Sequence, residues 1–276
     1  MAGPQPSYFA VLGTFARNGL VRDMTFRTNF FIELFTVVFW AGMNLCFYFL
    51  LYQFADEMGR GSGWSKWPFF IFLATGMFIN SLMQAFLVPN AVEFSELIRK
   101  GNLDFVLLKP IDTQFVVSFQ RVKWSALSTF LVGVGLLGYS LHRLDYAPGF
   151  SVVLLYPIYI ICGVAIMYSV MMCLASMTVW MGRNQNLTDF WFYLTIFSRY
   201  PLEIYTGRMG RPIQIGFTFI VPILLAVNIP ARFMAKPLDE GQGWLALYAL
   251  AAAAVSLLVS RRFFNLALSG YRSASS

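Results

Sequence analysis

Long apolar runs recur along this chain, separated by short polar stretches rich in arginine, lysine, glycine and proline. A helix needs about 20 mostly apolar residues to cross roughly 30 Å of hydrocarbon at 1.5 Å per residue. By that measure the pattern predicts membrane spans at 30–54, 67–88, 120–140, 150–181, 185–201 and 244–262. A further apolar stretch, 213–229, contains Pro222 and is followed by Pro230 and Pro237. If it crossed fully, Arg261 and Arg262 would emerge on the side opposite the other basic loops, so a broken, re-entrant pair over 202–237 is the expectation. Irregular backbone at such depth is tolerable only when packed on protein or lining a wet cavity. The expected architecture is an all-α polytopic membrane protein with six spans, one membrane domain over residues 1–276.

Two amphipathic segments flank the early spans. Residues 7–28 mix Phe9, Val11, Leu12 and Phe15 with Arg17, Arg22 and Arg27, a composition that suits an interface helix lying in the headgroup plane. The stretch 91–112, whose residues 92–111 read VEFSELIRKGNLDFVLLKPI, starts as an amphipathic helix: Val92, Leu97 and Ile98 are apolar, while Glu93, Glu96, Arg99 and Lys100 are charged. Gly101-Asn102 is a helix stop and Lys109-Pro110 ends the following apolar piece. A loop that is both helical and charged reads as a docking surface for a soluble partner.

Composition excludes an ordinary soluble fold. Of 276 residues, 58% are apolar and 12% charged, against about 45–50% and about 25% in soluble domains. The net charge of +7 does not point to nucleic acid, because the basic residues fall between the apolar runs. With a cytoplasmic N-terminus, Arg17, Arg22, Arg27, Arg99, Lys100, Lys109, Arg121, Lys123, Arg183, Arg261, Arg262 and Arg272 are inside, twelve of twenty. Trp64, Trp67, Trp124, Trp180, Trp191 and Trp244 fall near the ends of these runs, as interfacial anchors do. Cys46, Cys162 and Cys173 lie inside apolar runs without metal or CxxC spacing, which reads as free thiols. The first run is too long for the core of a signal peptide and is expected to act as its own insertion signal.

Reactive groups are sparse. His142 stands in a short loop beside Arg143 and Asp145, a surface position rather than that of a base or metal ligand. No HExxH, GxSxG or GxxxxGK[ST] pattern occurs, so neither catalytic nor metal-ligating residues are assigned. The charged residues nearest the hydrocarbon, Glu33, Asp189 and Arg199, sit at span ends and suit structural pairing better than an ion relay. Asn44, Asn80 and Gln84 are the candidates for a translocation path or for interhelical hydrogen bonds; Asn80 and Gln84 share a helix face. Gly133, Gly135, Gly138 and the alanines 251–254 are expected to permit close helix approach.

The segment RKGNLDFVLLKP resembles the signature after the second span in permeases of the bacterial type-2 ABC exporter family. The similarity extends to the amphipathic N-terminal helix, the six spans and the proline-marked segment before the last. It implies a permease that pairs with a second permease copy, as a homodimer or heterodimer, and binds two copies of a separate ABC ATPase. ATP and Mg would be bound by that partner, and no cofactor by this chain. The implied ATPase contacts are Glu93, Glu96, Arg99, Lys100, Gly101, Leu103, Asp104, Lys109 and Pro110, with part of the N-terminal helix. Tyr200, Pro201, Pro222 and Pro230 match the family's external hairpin, which seals the outer end of the path. The 201–243 segment departs from the commonest members in its length and in carrying Arg208, Arg211, Arg232 and Lys236. The implied place is the bacterial inner membrane with both termini cytoplasmic, and the implied cargo an amphipathic or hydrophobic molecule such as a lipid, glycoconjugate, peptide or drug-like cation. Two other classes stay open. An ion-coupled secondary transporter would show inverted repeats, which are not evident. A membrane enzyme of lipid metabolism would need an acid–base cluster.

Overall fold

A computed structural model describes residues 7–59, 61–144, 147–181, 185–235 and 243–271. Asp145, Arg183, Lys236, Pro237 and Arg272, which entered the expectations above, lie outside them. Helix α1 (Tyr8–Thr25) ends at Phe26, whose backbone leaves the helical region, and α2 (Arg27–Phe54) follows at once. Helix α3 (Lys66–Leu82) passes through a π-helical turn, Met83–Leu87, into α4 (Val88–Arg99). Two short helices, α5 (Leu103–Leu107) and α6 (Thr113–Phe119), lead to a 3-10 turn at Trp124–Leu127 and α7 (Ser128–Leu144). Then come α8 (Phe150–Met181), α9 (Gln185–Ile196), α10 (Gly207–Ile215), α11 (Ile223–Ala235) and α12 (Gly243–Ser269). Among the described residues every regular element is helical.

Five helical stretches are long and apolar enough to cross a membrane: Arg27–Phe54, Lys66–Arg99, Trp124–Leu144, Phe150–Met181 and Gly243–Ser269. A sixth appears if Gly207–Ile220 and Ile223–Ala235, bent by 88° at Pro222, count as one. The fifth expected span, 185–201, is shorter than its apolar run suggests. Helix α9 has 12 residues, about 18 Å at helical rise. Beyond its 3-10 extension Phe197–Arg199, Tyr200 is extended (φ −125°, ψ 148°), the conformation that the ring of Pro201 imposes on the residue before it.

The second span is longer than its apolar run. Lys66–Arg99 is one 34-residue stretch, about 51 Å, so residues 91–99 belong to the same rod and not to a separate loop helix. Pro89 explains the π turn inside it. A proline removes the hydrogen bond to the carbonyl four residues earlier and crowds it. That carbonyl belongs to Ala85, and it accepts instead from the Lys123 N–H at 2.9 Å.

Helix α8 is the central post, packed on α12, α11 and α4, while α3 packs on α7 and α11. Lipid is as apolar as the helix surfaces, so close van der Waals packing and buried hydrogen bonds hold such a bundle together. Thr75 and Tyr156 share a hydrogen bond at 2.7 Å, and Ser95 and Thr178 another at 3.2 Å. Pro230 leaves the Ala226 carbonyl without its usual helical donor, and Gly163 of α8 fits against that carbonyl. A Cβ at residue 163 would stand 2.4 Å from the Ala226 oxygen and 2.9 Å from Ile79. Gly163→Val is therefore expected to destabilise by about 1–3 kcal/mol through overpacking. Thermal unfolding in detergent should show a lowered Tm, and an unchanged Tm would mean that α8 and α11 do not cross this closely.

Some expected packing contacts are relocated. Gly133 does meet Phe78 and Met77, but Gly135 and Gly138 face open space. Within the alanine run, Ala252 and Ala253 are buried and Ala251 and Ala254 are not. Trp64 is not an interfacial anchor. It is fully buried, accepts from Tyr52 Oη at 2.8 Å through its carbonyl, and donates Nε1–H to Glu203 at 2.9 Å. Glu203 also pairs with Arg232 of α11, which ties the 55–64 loop to the bent helical pair. The three cysteines are free thiols.

Candidate functional site

The site grows from the stop of α4. Gly101 takes φ +70°, and the N–H groups of Gly101 and Asn102 bond back to the carbonyls of Ile98 (3.1 Å) and Leu97 (2.9 Å), closing a Schellman motif. The chain then enters α5 with two faces. Leu103 and Val106 point inward and are buried, whereas Phe105 and Leu108 are 69% and 81% exposed. Arg99, Lys100, Lys109 and Pro110 are exposed around them.

The loop is held from behind. Asp112 caps α6 by accepting from the Phe115 N–H at 2.9 Å, and it is gripped by Arg261 from the end of α12. The same guanidinium donates to Gln114 Oε1 at 2.9 Å, and Gln114 Nε2 donates to Tyr168 Oη at 2.9 Å. Burial opposes the charge on Asp112, but the bonds from Arg261 and Phe115 outweigh it and hold the carboxyl below the usual aspartate value. A depressed folded value stabilises fully above the unfolded value, about 3.9, and that contribution is lost as pH falls below it. Unfolding stability of the purified protein is thus expected to show no contribution from Asp112 titration between pH 8 and 5. A loss inside that window that Asp112→Asn abolishes would contradict this.

Behind the loop, residues 120–126 form a strap on which four helices converge. Asn90, fully buried in α4, donates to the Arg121 carbonyl (2.7 Å) and the Phe86 carbonyl (2.6 Å), and accepts from the Arg121 N–H (2.8 Å). Ser81 of α3 donates to the Ala126 carbonyl at 2.9 Å. From α1, Arg22 donates to the Val122 carbonyl (3.0 Å), Asp23 accepts from the Trp124 N–H (3.1 Å), and the Ala16 carbonyl accepts from Trp124 Nε1 (3.0 Å). Gly19 makes this approach possible, since a Cβ there would stand 2.7 Å from the Val122 oxygen. From α2, Glu33 pairs with Lys123 and accepts from Ser125 at 2.9 Å.

The expected contact residues divide accordingly. Glu93 is paired with Arg121 at 2.7 Å, and Glu96 with Arg99 (2.6 Å) and Lys100 (3.3 Å). Gly101 is the turn itself and Asp104 is half-buried. Leu103 has no surface to offer a partner and serves as an anchor. The residues the sequence reading passed over are Phe105 and Leu108. Their signal was the spacing within LDFVLL, where positions 103 and 106 share one face and 105 and 108 the other.

Elsewhere, Asn80 and Gln84 lie exposed on one face of the long rod, and Asn44 is exposed on α2 with its amide on the Trp40 carbonyl at 2.9 Å. The structure does not bring Asn44, Asn80 or Gln84 into a shared hydrogen bond. At the far end, Pro201, Pro222 and Pro230 are buried and Tyr200 half-buried. Among the described residues no group of three or more His, Cys, Asp or Glu side chains is placed to hold a metal.

The family model described as ABC-2 family transporter protein matches residues 38–275. No curated protein and no solved structure matches the chain.

Proposed function

The chain belongs to the ABC-2 transporter family, and from that premise we propose that it is the permease of an ATP-driven exporter whose α4–α6 loop docks a separate ABC ATPase in the cytoplasm. As a multi-pass membrane protein of that family, it leaves ATP chemistry to the partner. The observation that carries the docking assignment is the pair Phe105 and Leu108, two apolar side chains held outward on a braced loop and ringed by Arg99, Lys100 and Lys109. Interfaces draw their energy from such apolar anchors within a polar rim.

In this reading two permeases and two ATPases form the working unit, in the inner membrane with both termini cytoplasmic. ATP and Mg bind the ATPases. Their closure shifts the permease pair between access states only because ATP binds those states with different affinity. The strap at 120–126 carries the displacement of the loop to α1, α2 and α3, which bond to it directly, and to α7, whose Ser128 donates to the Ser125 carbonyl at 2.7 Å. Asn44, Asn80 and Gln84 lie on surfaces that a second permease would cover, which suits a seam along which an amphipathic or hydrophobic cargo passes. The bent pair at Pro222, tied through Glu203 and Arg232 to Trp64, closes the outer end.

Co-expression with candidate ABC ATPases of the same genome tests the assignment. The expected result is co-purification and an ATPase rate that responds to the permease. Transport by the lone chain in liposomes, driven by an ion gradient, would overturn it in favour of a secondary transporter.

A further inference from the structure

At the end of the bundle away from the loop, α2, α3 and α7 leave an open groove of about 170 Å³. Its walls are Leu45, Cys46, Phe49, Trp67, Phe70, Leu136 and Tyr139, which turn only apolar atoms toward it. Two cations stand at its mouth. The Lys66 ammonium lies 3.7 Å from the Phe49 ring centroid and 5.2 Å from that of Trp67. The Arg143 guanidinium lies 5.9 Å from the Trp67 ring and 5.4 Å from that of Tyr139, and its Nε–H donates to Tyr139 Oη at 3.1 Å.

Among the described residues neither cation has a carboxylate within salt-bridge distance. Lys66 also opens the first turn of α3, where the helix dipole is positive and where no acidic residue offsets it. A cation at that position is unfavourable unless an anion joins it. The ring faces relieve part of this cost, but they supply no counter-charge. Trp67 and Tyr139 side by side, their centroids 5.7 Å apart, are the residue types that settle at headgroup level. An anion that pairs with these two cations therefore belongs at the depth of lipid phosphates, directly above a groove of acyl-chain character.

We propose that this is a binding site for an anionic phospholipid of the surrounding bilayer. One acyl chain fills the groove between Leu45, Phe70 and Leu136, and the phosphate bridges Lys66 and Arg143. A cationic ligand is rejected by the two charges at the mouth. A purely apolar one offers them no counter-charge.

The test uses the full-length permease in detergent and native mass spectrometry, with phosphatidylglycerol and phosphatidylcholine of identical chains as probes. Wild type is expected to retain phosphatidylglycerol with a roughly 30-fold preference, the effect of two surface cations on its one net negative charge, which the choline of phosphatidylcholine cancels. Lys66→Gln with Arg143→Gln should erase that preference, while Lys66→Arg with Arg143→Lys should keep it. Leu136→Trp, which fills the groove but leaves both cations, should lose the lipid as well. Arg208→Gln with Arg211→Gln, on α10 outside the groove, should bind like wild type. Equal retention of both lipids by wild type overturns the proposal, as does a preference that survives the first double variant. Retention by Leu136→Trp, or loss in the α10 variant, overturns it too. No ATPase enters the measurement, so its outcome is separate from the transport assignment.

Discussion

Replacing both Phe105 and Leu108 by alanine is expected to abolish capture of the ABC ATPase while leaving the permease folded. A central apolar anchor contributes about 2 kcal/mol or more to an interface, roughly 30-fold in affinity for each of the two. Both side chains are more than two-thirds exposed, and exposed substitutions away from caps and networks shift stability by about 0.5 kcal/mol or less. Leu103→Ala is the counterpart. It is expected to cost about 2–5 kcal/mol of stability, because Leu103 is fully buried. Co-purification and stimulated ATP turnover read the first pair, and thermal unfolding reads the second. Wild-type capture by the double alanine variant would remove the loop from the docking surface.

The second large effect belongs to Asn90. Its side chain makes three hydrogen bonds, two of them to Arg121, and it is fully buried. Asn90→Leu leaves the half-buried N–H and carbonyl of Arg121 without this partner, and each such orphan costs up to about 1–3 kcal/mol. A total loss of about 2–5 kcal/mol is expected, with α4 released from the strap. Asn90→Asp keeps the acceptor for the Arg121 N–H but loses the two amide donations, so it should fall between wild type and Asn90→Leu. In a reconstituted complex both variants should hydrolyse ATP with less transport per turnover. Equal stability of the three proteins would show that the strap hangs on other bonds.

How far the residue pattern reached is clearest at particular places. Helix α8 occupies the apolar run at 150–181 end to end and carries Pro157 inside it, about two turns from its start, without ending there. The bend at Pro222 falls where proline chemistry puts it. The second apolar run ends at Val88, the residue before Pro89. A proline inside a helix is also compatible with a π turn, provided some distant N–H takes up the freed carbonyl. That donor, Lys123, is 38 residues from Ala85, and no local pattern announces such a pairing. The strap escaped notice for the same reason, since its bonds to Ala16, Arg22, Asp23, Glu33 and Ser81 all span long sequence distances. Trp64 looked like a headgroup anchor because position relative to an apolar run does not reveal that Glu203, 139 residues away, accepts from its ring.

The widened turn at Met83–Leu87 fixes more than the course of one rod. An ordinary helix would carry the side of Asn80 and Gln84 onward to Leu87 and Ala91, yet those two are only 6% exposed. One extra residue in the coil offsets everything below it by about 100°. Val92 and Arg99 are thereby brought under Asn80 and Gln84, so that a single stripe runs from the middle of the rod down to its charged tip. Squeezing that residue out would swing Arg99 a quarter-turn and more away from the stripe. The tip and the mid-depth amides are thus geared together by azimuth, with Pro89 as the tooth that sets the gear.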